Sequence, residues 1–236
     1  MQGWIKGLGW VTPAGSGMGR QTQGVLQPLQ AGLLQIPERK DVFAQIDRRF
    51  GRLDDFSRVG LAAVTFSLRD AGAEIWEQKR SIGIVAASCY GCLQTDLDYH
   101  QTLIPQQGRL ASPNLFAYTL PNCFLGEAAL RFGLTGNSMI INRRDASRLT
   151  AIKVGLEELA LSDQSGILAG IVDLAPPPEL ANDEDLPGGL FFLLERDQGG
   201  ESYGALALRE DELFFDEKRV DNLQQLVAAC LNRIAV

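Results

Sequence analysis

Residues 81–87 (SIGIVAA) form a short run with almost nothing polar in it. A strand with one wet face alternates apolar and polar side chains, so an unbroken apolar run suits a strand covered on both faces. Two more strands are expected at Ser138–Asn142 (SMIIN) and Gly166–Asp173 (GILAGIVD). Between and around them the spacing predicts helices over 93–104, from Pro113, from Pro121 and over 146–160, with Ser112-Pro113 a natural helix start. Strands alternating with helices give an α/β sandwich with a mixed sheet.

Upstream, residues 2–12 (QGWIKGLGWVT) read as a strand and 20–34 as a short helix interrupted by Pro28. Asp54 or Ser57 caps a helix that presents Val59, Ala62, Ala63 and Phe66 on one face and stops at Gly72. Residues 35–55 have mixed charge and no clear period. Downstream of a Pro-rich acidic loop (APPPELANDEDLPGG), residues 189–195 and 203–209 read as a hairpin around DQGG. Residues 217–236 read as an amphipathic helix, with Val220, Leu223, Val227, Cys230 and Ile234 in one stripe. With no internal repeat or flexible linker, residues 1–236 are expected to form one domain.

Composition excludes several classes. Hydrophobic residues make up 45% of 236, an ordinary globular share, so general disorder is excluded. The net charge of −7 argues against nucleic acid as a partner. No apolar run approaches the about 18–20 residues that span a bilayer. The start, MQGWIKGLGW, lacks the charged and then long apolar pattern of a signal peptide. Four Cys do not make a disulfide framework. A cytoplasmic protein without membrane association is expected.

The chemical motifs are mostly weak. Gly7-Leu8-Gly9 follows a strand but lacks the third glycine of a dinucleotide loop, and Pro13 stands where a helix would open. No phosphate-binding GxxxxGK[ST] occurs, so no cofactor is expected. Cys89-Tyr90-Gly91-Cys92 has thioredoxin-like spacing after a strand but too few companions for zinc, and also suits a turn of small buried residues. His100 is the single histidine, so any Ser–His or Cys–His chemistry would need it.

Several phrases, taken in order, resemble the N-terminal half of the β-ketoacyl synthases, enzymes of the thiolase fold. They are IKGLGWVTPAG, FSRVGLAAVTFSLRDAG, SIGIVAASCYGCLQTD, ILAGIVDL and GGLFFLLERDQGGESYGALALRE, with SPNLFAYTLPNCFLGEAALRFGLTGNSMIIN the strongest. The resemblance covers roughly residues 3–210. It implies a thiolase-like α/β/α half with a mixed five-stranded sheet and no C-terminal half, residues 217–236 being additional.

Three departures shape what the resemblance implies. Where the family has a catalytic Cys at a helix start, the turn here reads Asn142-Arg143-Arg144-Asp145-Ala146-Ser147, placing Asp145 at the nucleophile position. Asp145 suits a helix cap better than a nucleophile, because acyl transfer to it would give a mixed anhydride. The two His, or His and Asn, of the family's C-terminal half have no counterpart. The helix over 146–160 carries Thr150, Lys153, Glu157 and Glu158 opposite a stripe of Leu149, Ile152, Leu156 and Leu159, with Lys153 and Glu157 spaced to pair. The family's equivalent helix is buried between two halves; this one is expected to be half-exposed.

The resemblance therefore implies a non-catalytic partner similar to short Cys-less chain-length factors, some associated with aryl polyene or other polyketide-type lipid pathways. Such a partner pairs through the strand Ser138, Met139, Ile140, Ile141 and Asn142, with itself or with a full-length ketosynthase. Two other readings stand beside it. One is residual thioester chemistry at Asp145, Cys89, Cys92 or Cys123. The other is an acyl or acyl-carrier-protein binding module, using Arg143 and Arg144 or the cluster Arg48, Arg49 and Arg52.

Overall fold

The computed structural model describes residues 1–21, 29, 32–45, 47–182 and 185–234. The helix expected over 20–34 lies largely outside these. The chain runs β1 (Gln2–Thr12), β2 (Gly15–Met18), α1 (Arg39–Val42), α2 (Asp55–Asp70), β3 (Ile82–Ser88), α3 (Leu93–Leu103), α4 (Pro113–Phe116), α5 (Cys123–Phe132), β4 (Ser138–Asn142), α6 (Thr150–Leu161), β5 (Gly166–Asp173), β6 (Gly188–Glu195), β7 (Gly204–Arg209), β8 (Glu212–Phe215), β9 (Lys218–Val220) and α7 (Leu223–Asn232).

Among the described residues one mixed sheet of nine strands, ordered β4-β3-β5-β6-β1-β7-β8-β9 with β2 beside β1, replaces the five strands expected. The first five positions hold the strands read from the resemblance, and β3 pairs in parallel with both β4 and β5. Residues from α2 and α5 pack one face of the sheet, and residues from α6 and α7 pack the other. Within the described residues no helix is long and apolar enough to cross a membrane.

The hairpin expected between β6 and β7 does not form. Both strands pair instead with β1, on its two sides. The sheet then continues through two hairpins with two-residue turns, Glu210-Asp211 and Asp216-Glu217, whose φ values of 49°, 67°, 45° and 66° belong to the left-handed region. Neither turn contains the Asn-Gly or Asp-Gly that signals this geometry, so β8 and β9 are hidden among acidic residues. Leu213 and Phe215 are buried on the inner face of β8. The terminal helix consequently starts at Leu223, with Leu223, Leu226, Val227 and Cys230 buried; Val220 belongs to β9.

Asp54 caps α2 by accepting the Ser57 N–H (3.1 Å), while Ser57 lies inside the helix. Gly7 and Gly9 let α2 approach β1 backbone to backbone. A Cβ on Gly9 would sit 2.1 Å from Ser67 N, and one on Gly7 2.1 Å from Ser67 O. The glycines considered for a cofactor loop are thus a helix–strand contact. At the end of α2, the buried Asp70 accepts from Leu8 N–H (2.9 Å), Arg20 N–H (2.7 Å) and the Tyr203 hydroxyl (2.6 Å). Burial and the Asp70 carboxylate push the Tyr203 phenol up.

Between β3 and β4 the chain forms an arm from α3, a 3-10 turn (Ile104–Gln106) and α4. Thr95 is the sole buried residue of its two helices. Ile104, Leu110, Phe116 and Leu120 are each more than 60% exposed.

Replacing Gly9 with Ala must displace α2 from the sheet, because the obstructing atoms are backbone. Gly9→Ala is expected to destabilise the fold by about 1–3 kcal/mol or more, read as a lower urea midpoint with an unchanged slope.

Candidate functional site

β3, β4 and β5 run in parallel, so the residues that follow their C-terminal ends share one end of the sheet. β3 ends in Ser88-Cys89-Tyr90-Gly91, β4 leads into Arg143-Arg144-Asp145, and β5 ends at Asp173. A family nucleophile would stand at this rim, at the start of α6.

The side chain of Asp145 is fully engaged there. One carboxylate oxygen accepts from Ser147 N–H (3.0 Å) and Ser147 Oγ–H (2.8 Å). The other accepts from Leu149 N–H (3.0 Å), Thr150 N–H (3.0 Å) and Thr150 Oγ1–H (2.7 Å). These are the orphan amides that a helix start must satisfy. Burial pushes the Asp145 carboxyl up, but the bonds from Thr150 and Ser147 outweigh it and hold it below the usual carboxylate range. The helix begins at Thr150 rather than 146, because residues 143–149 form the turn that Asp145 organises, with Arg148 at φ 58°.

A second carboxylate lies beside it. Asp173 is buried and accepts from Ser88 Oγ–H (2.7 Å), Cys89 N–H (2.9 Å) and Tyr90 N–H (3.1 Å). Burial pushes its carboxyl up, against the pull of these donors. Sequence reasoning missed this residue; its signal is an acidic side chain closing an otherwise apolar strand. Ala87, Ser88, Cys89, Arg143, Asp145, Arg148, Ile171 and Asp173 line a small open pocket of about 20 Å³, room for roughly one water.

The cysteines do not converge on a reactive group. All four are free. Cys89 lines the small cavity, and burial together with Asp173 pushes its thiol up, with Arg148 and Arg144 opposing. Cys92 is buried and pushed up to about 12 by burial, Asp96 and Asp54. The Cys123 thiol donates to Ala117 O (3.0 Å) and is also raised by burial. His100 is exposed on α3 and does not line the cavity. The described residues contain no cluster of three metal-ligating side chains.

The arginines divide. Arg144 donates to the Tyr90 hydroxyl, which also bonds Asp185 (3.0 Å). Arg143 is exposed and has no acidic partner among the described residues. Arg49 faces Glu127 at 3.7 Å, and Arg48 and Arg52 are exposed. Larger space lies elsewhere, in a cleft of about 730 Å³ at the C-terminal end of α2, where Arg69 pairs with Glu74 and Arg131 with Asp47.

The outer face of α6 is polar. Lys153 reaches Asp211 (2.9 Å) rather than Glu157, and Glu157 is exposed. The stripe of Leu149, Ile152, Leu156 and Leu159 is buried against the sheet.

Residues 18–182 match the family described as beta-ketoacyl synthase, N-terminal domain. Two relatives are 3-oxoacyl-[acyl-carrier-protein] synthase 2 of Vibrio cholerae, 28% identical over 63% of this chain and 36% of its own, and the same-named protein of Vibrio harveyi, 27% identical over 63% and 35%. The chain thus spans about a third of the length of the curated relatives it matches. Among solved structures, a type II PKS acyl-carrier protein in complex with its ketosynthase (AntDE:AntF) matches with TM-score 0.69 and 18% identity, over 87% of this chain and 67% of that one. The ketosynthase ApeO in complex with its chain length factor ApeC, from Xenorhabdus doucetiae, matches with TM-score 0.64 and 16% identity, over 98% and 92%. At these identities the structures establish a shared thiolase-like fold.

Two expected outcomes test the site. Asp145→Ala should cost about 1–2 kcal/mol at neutral pH by urea denaturation. Because the folded carboxyl is held low, its stabilisation is complete above the unfolded pKa of about 3.9 and is lost as pH falls through the lower folded value. The difference between variant and parent should therefore close on acidification. Cys89 should react with iodoacetamide at neutral pH more slowly than free cysteine, as mass spectrometry of the labelled peptide would read.

Proposed function

Since the chain belongs to the β-ketoacyl synthase family by its N-terminal domain, we propose that it is a non-catalytic, chain-length-factor-like partner in fatty-acid- or polyketide-type acyl chain synthesis. The observation that carries this reading is the engagement of Asp145. A nucleophile needs a free electron pair aimed into a space that admits the substrate. Here both oxygens of the side chain at that position hold the turn and helix together, and the adjoining cavity has room for little more than a water.

The exposed strand β4 supports a partner. Its outer edge pairs with no strand among the described residues, and the connection between β3 and β4 exposes Ile104, Leu110, Phe116 and Leu120. The near end-to-end match with a chain in a ketosynthase–chain length factor complex supports this reading, since a chain of nearly this length occurs there. In this role the chain acts as one unit, docking through Ser138, Met139, Ile140, Ile141 and Asn142.

Co-expression with a full-length ketosynthase from the same genome should yield a stable mixed complex, and deletion of this chain should change the length distribution of the acyl products. Failure to recover any complex, with product lengths unchanged, would remove the proposal.

A further inference from the structure

The cleft of about 730 Å³ at the C-terminal end of α2 lies away from the rim. Its walls come from α1 and the residues after it, from the segment between α2 and β3, and from the last residues of α5, which precede β4. The rim residues follow β3 and β4, so the two places stand at opposite ends of the same parallel pair. The volume falls within the about 300–1,000 Å³ typical of small-molecule pockets.

Val42, Phe43, Ile75, Trp76 and Phe132 give the cleft apolar surface. Trp76 is fixed in place. Its indole N–H donates to Arg131 O (2.9 Å), and its ring lies over Gly133, where a Cβ would come within 2.6 Å of it. Ile75 stands exposed beside it.

Two guanidinium groups converge on the chain at the end of α1. Arg69 donates to Val42 O (2.7 Å), and Arg131 stacks on the Phe43 ring, 3.5 Å from its centroid. Both line the cleft, and neither is fully spent. Arg69 uses Nε and Nη2 on Glu74 (2.6 and 2.7 Å) and Val42, and Arg131 uses Nη1 on Asp47. Among the described residues, Arg69 Nη1 and Arg131 Nη2 have no acceptor. Lys40 adds a third cation, held only by an exposed pair with Glu38 (3.0 Å). The two acids of the lining are Glu74, engaged by Arg69, and Asp41, which accepts from Glu38 N–H (3.1 Å). The cleft thus joins apolar walls to charged N–H donors in excess of acceptors. A carboxylate is the group that such donors match, because its two oxygens take N–H groups side by side.

We propose that this cleft binds a small organic carboxylate, with its anionic head on the open edges of Arg69 and Arg131 and its apolar body against Ile75, Trp76 and Phe132. The site uses no rim residue and does not depend on the partner role of β4.

Titration of the purified chain with 4-phenylbutyrate, read by calorimetry and by Trp fluorescence, tests this. Saturable one-site binding is expected, with 4-phenylbutanol and 4-phenylbutylammonium weaker by about tenfold or more. Arg69→Gln should weaken 4-phenylbutyrate about tenfold by removing half of the head-group site. Ile75→Asp alters an exposed side chain that the fold does not need, and should weaken it by a similar factor by setting a negative charge at the mouth. Trp76→Phe should remove the fluorescence change. No saturable heat at millimolar ligand overturns the proposal. So does equal affinity for the alcohol or the ammonium compound, binding unchanged in both Arg69→Gln and Ile75→Asp, or a fluorescence change that survives Trp76→Phe.

Discussion

The contact between α2 and β1 is made without side chains, and much of the architecture depends on it. Gly7 and Gly9 admit the helix backbone at Ser67, and Asp70 then ties the helix end to Leu8, Arg20 and Tyr203. With one end fixed, the other end of α2 falls beside the strand ends. There Asp54 both caps the helix and accepts from Thr95 Oγ1 (2.6 Å), just after the β3 turn. The glycine spacing of β1 thus helps to set where the rim of the site lies.

At that rim two carboxylates of the chain occupy donor-rich turns. Asp173 sits among the amides that follow β3, and Asp145 among those that open α6. Such amides favour negative charge wherever it comes from. In a thiolase-like enzyme that preference serves a thiolate and a developing oxyanion; here it meets internal carboxylates. The Asp145 bonds join β4 to α6, so the chemistry of the turn and its mechanical role involve the same atoms.

Much of this is legible in the sequence. The apolar runs at β3 and β5 announce strands covered on both faces, and Asp54, Ser112 and Gly72 mark helix ends with ordinary cap chemistry. What is hidden is hidden for physical reasons. β8 and β9 turn on acidic pairs in left-handed backbone, where glycine or asparagine would have signalled a hairpin. The partners of β7 depend on the two-sided use of β1, a long-range fact no local pattern encodes. Asp173 closes an apolar strand, and its place beside Cys89 depends on the parallel register of β3 and β5.

The two margins of the sheet are chemically unequal. β9 is three residues long, exposes Lys218 and Arg219, and has Arg219 flanked by Glu212 (2.7 Å) and Asp221 (2.8 Å). A margin so short and so charged is a poor template for another strand, whereas the β4 margin is bare. Extension of the sheet through β9 is disfavoured by the composition of that strand itself, on the side of the sheet away from the site.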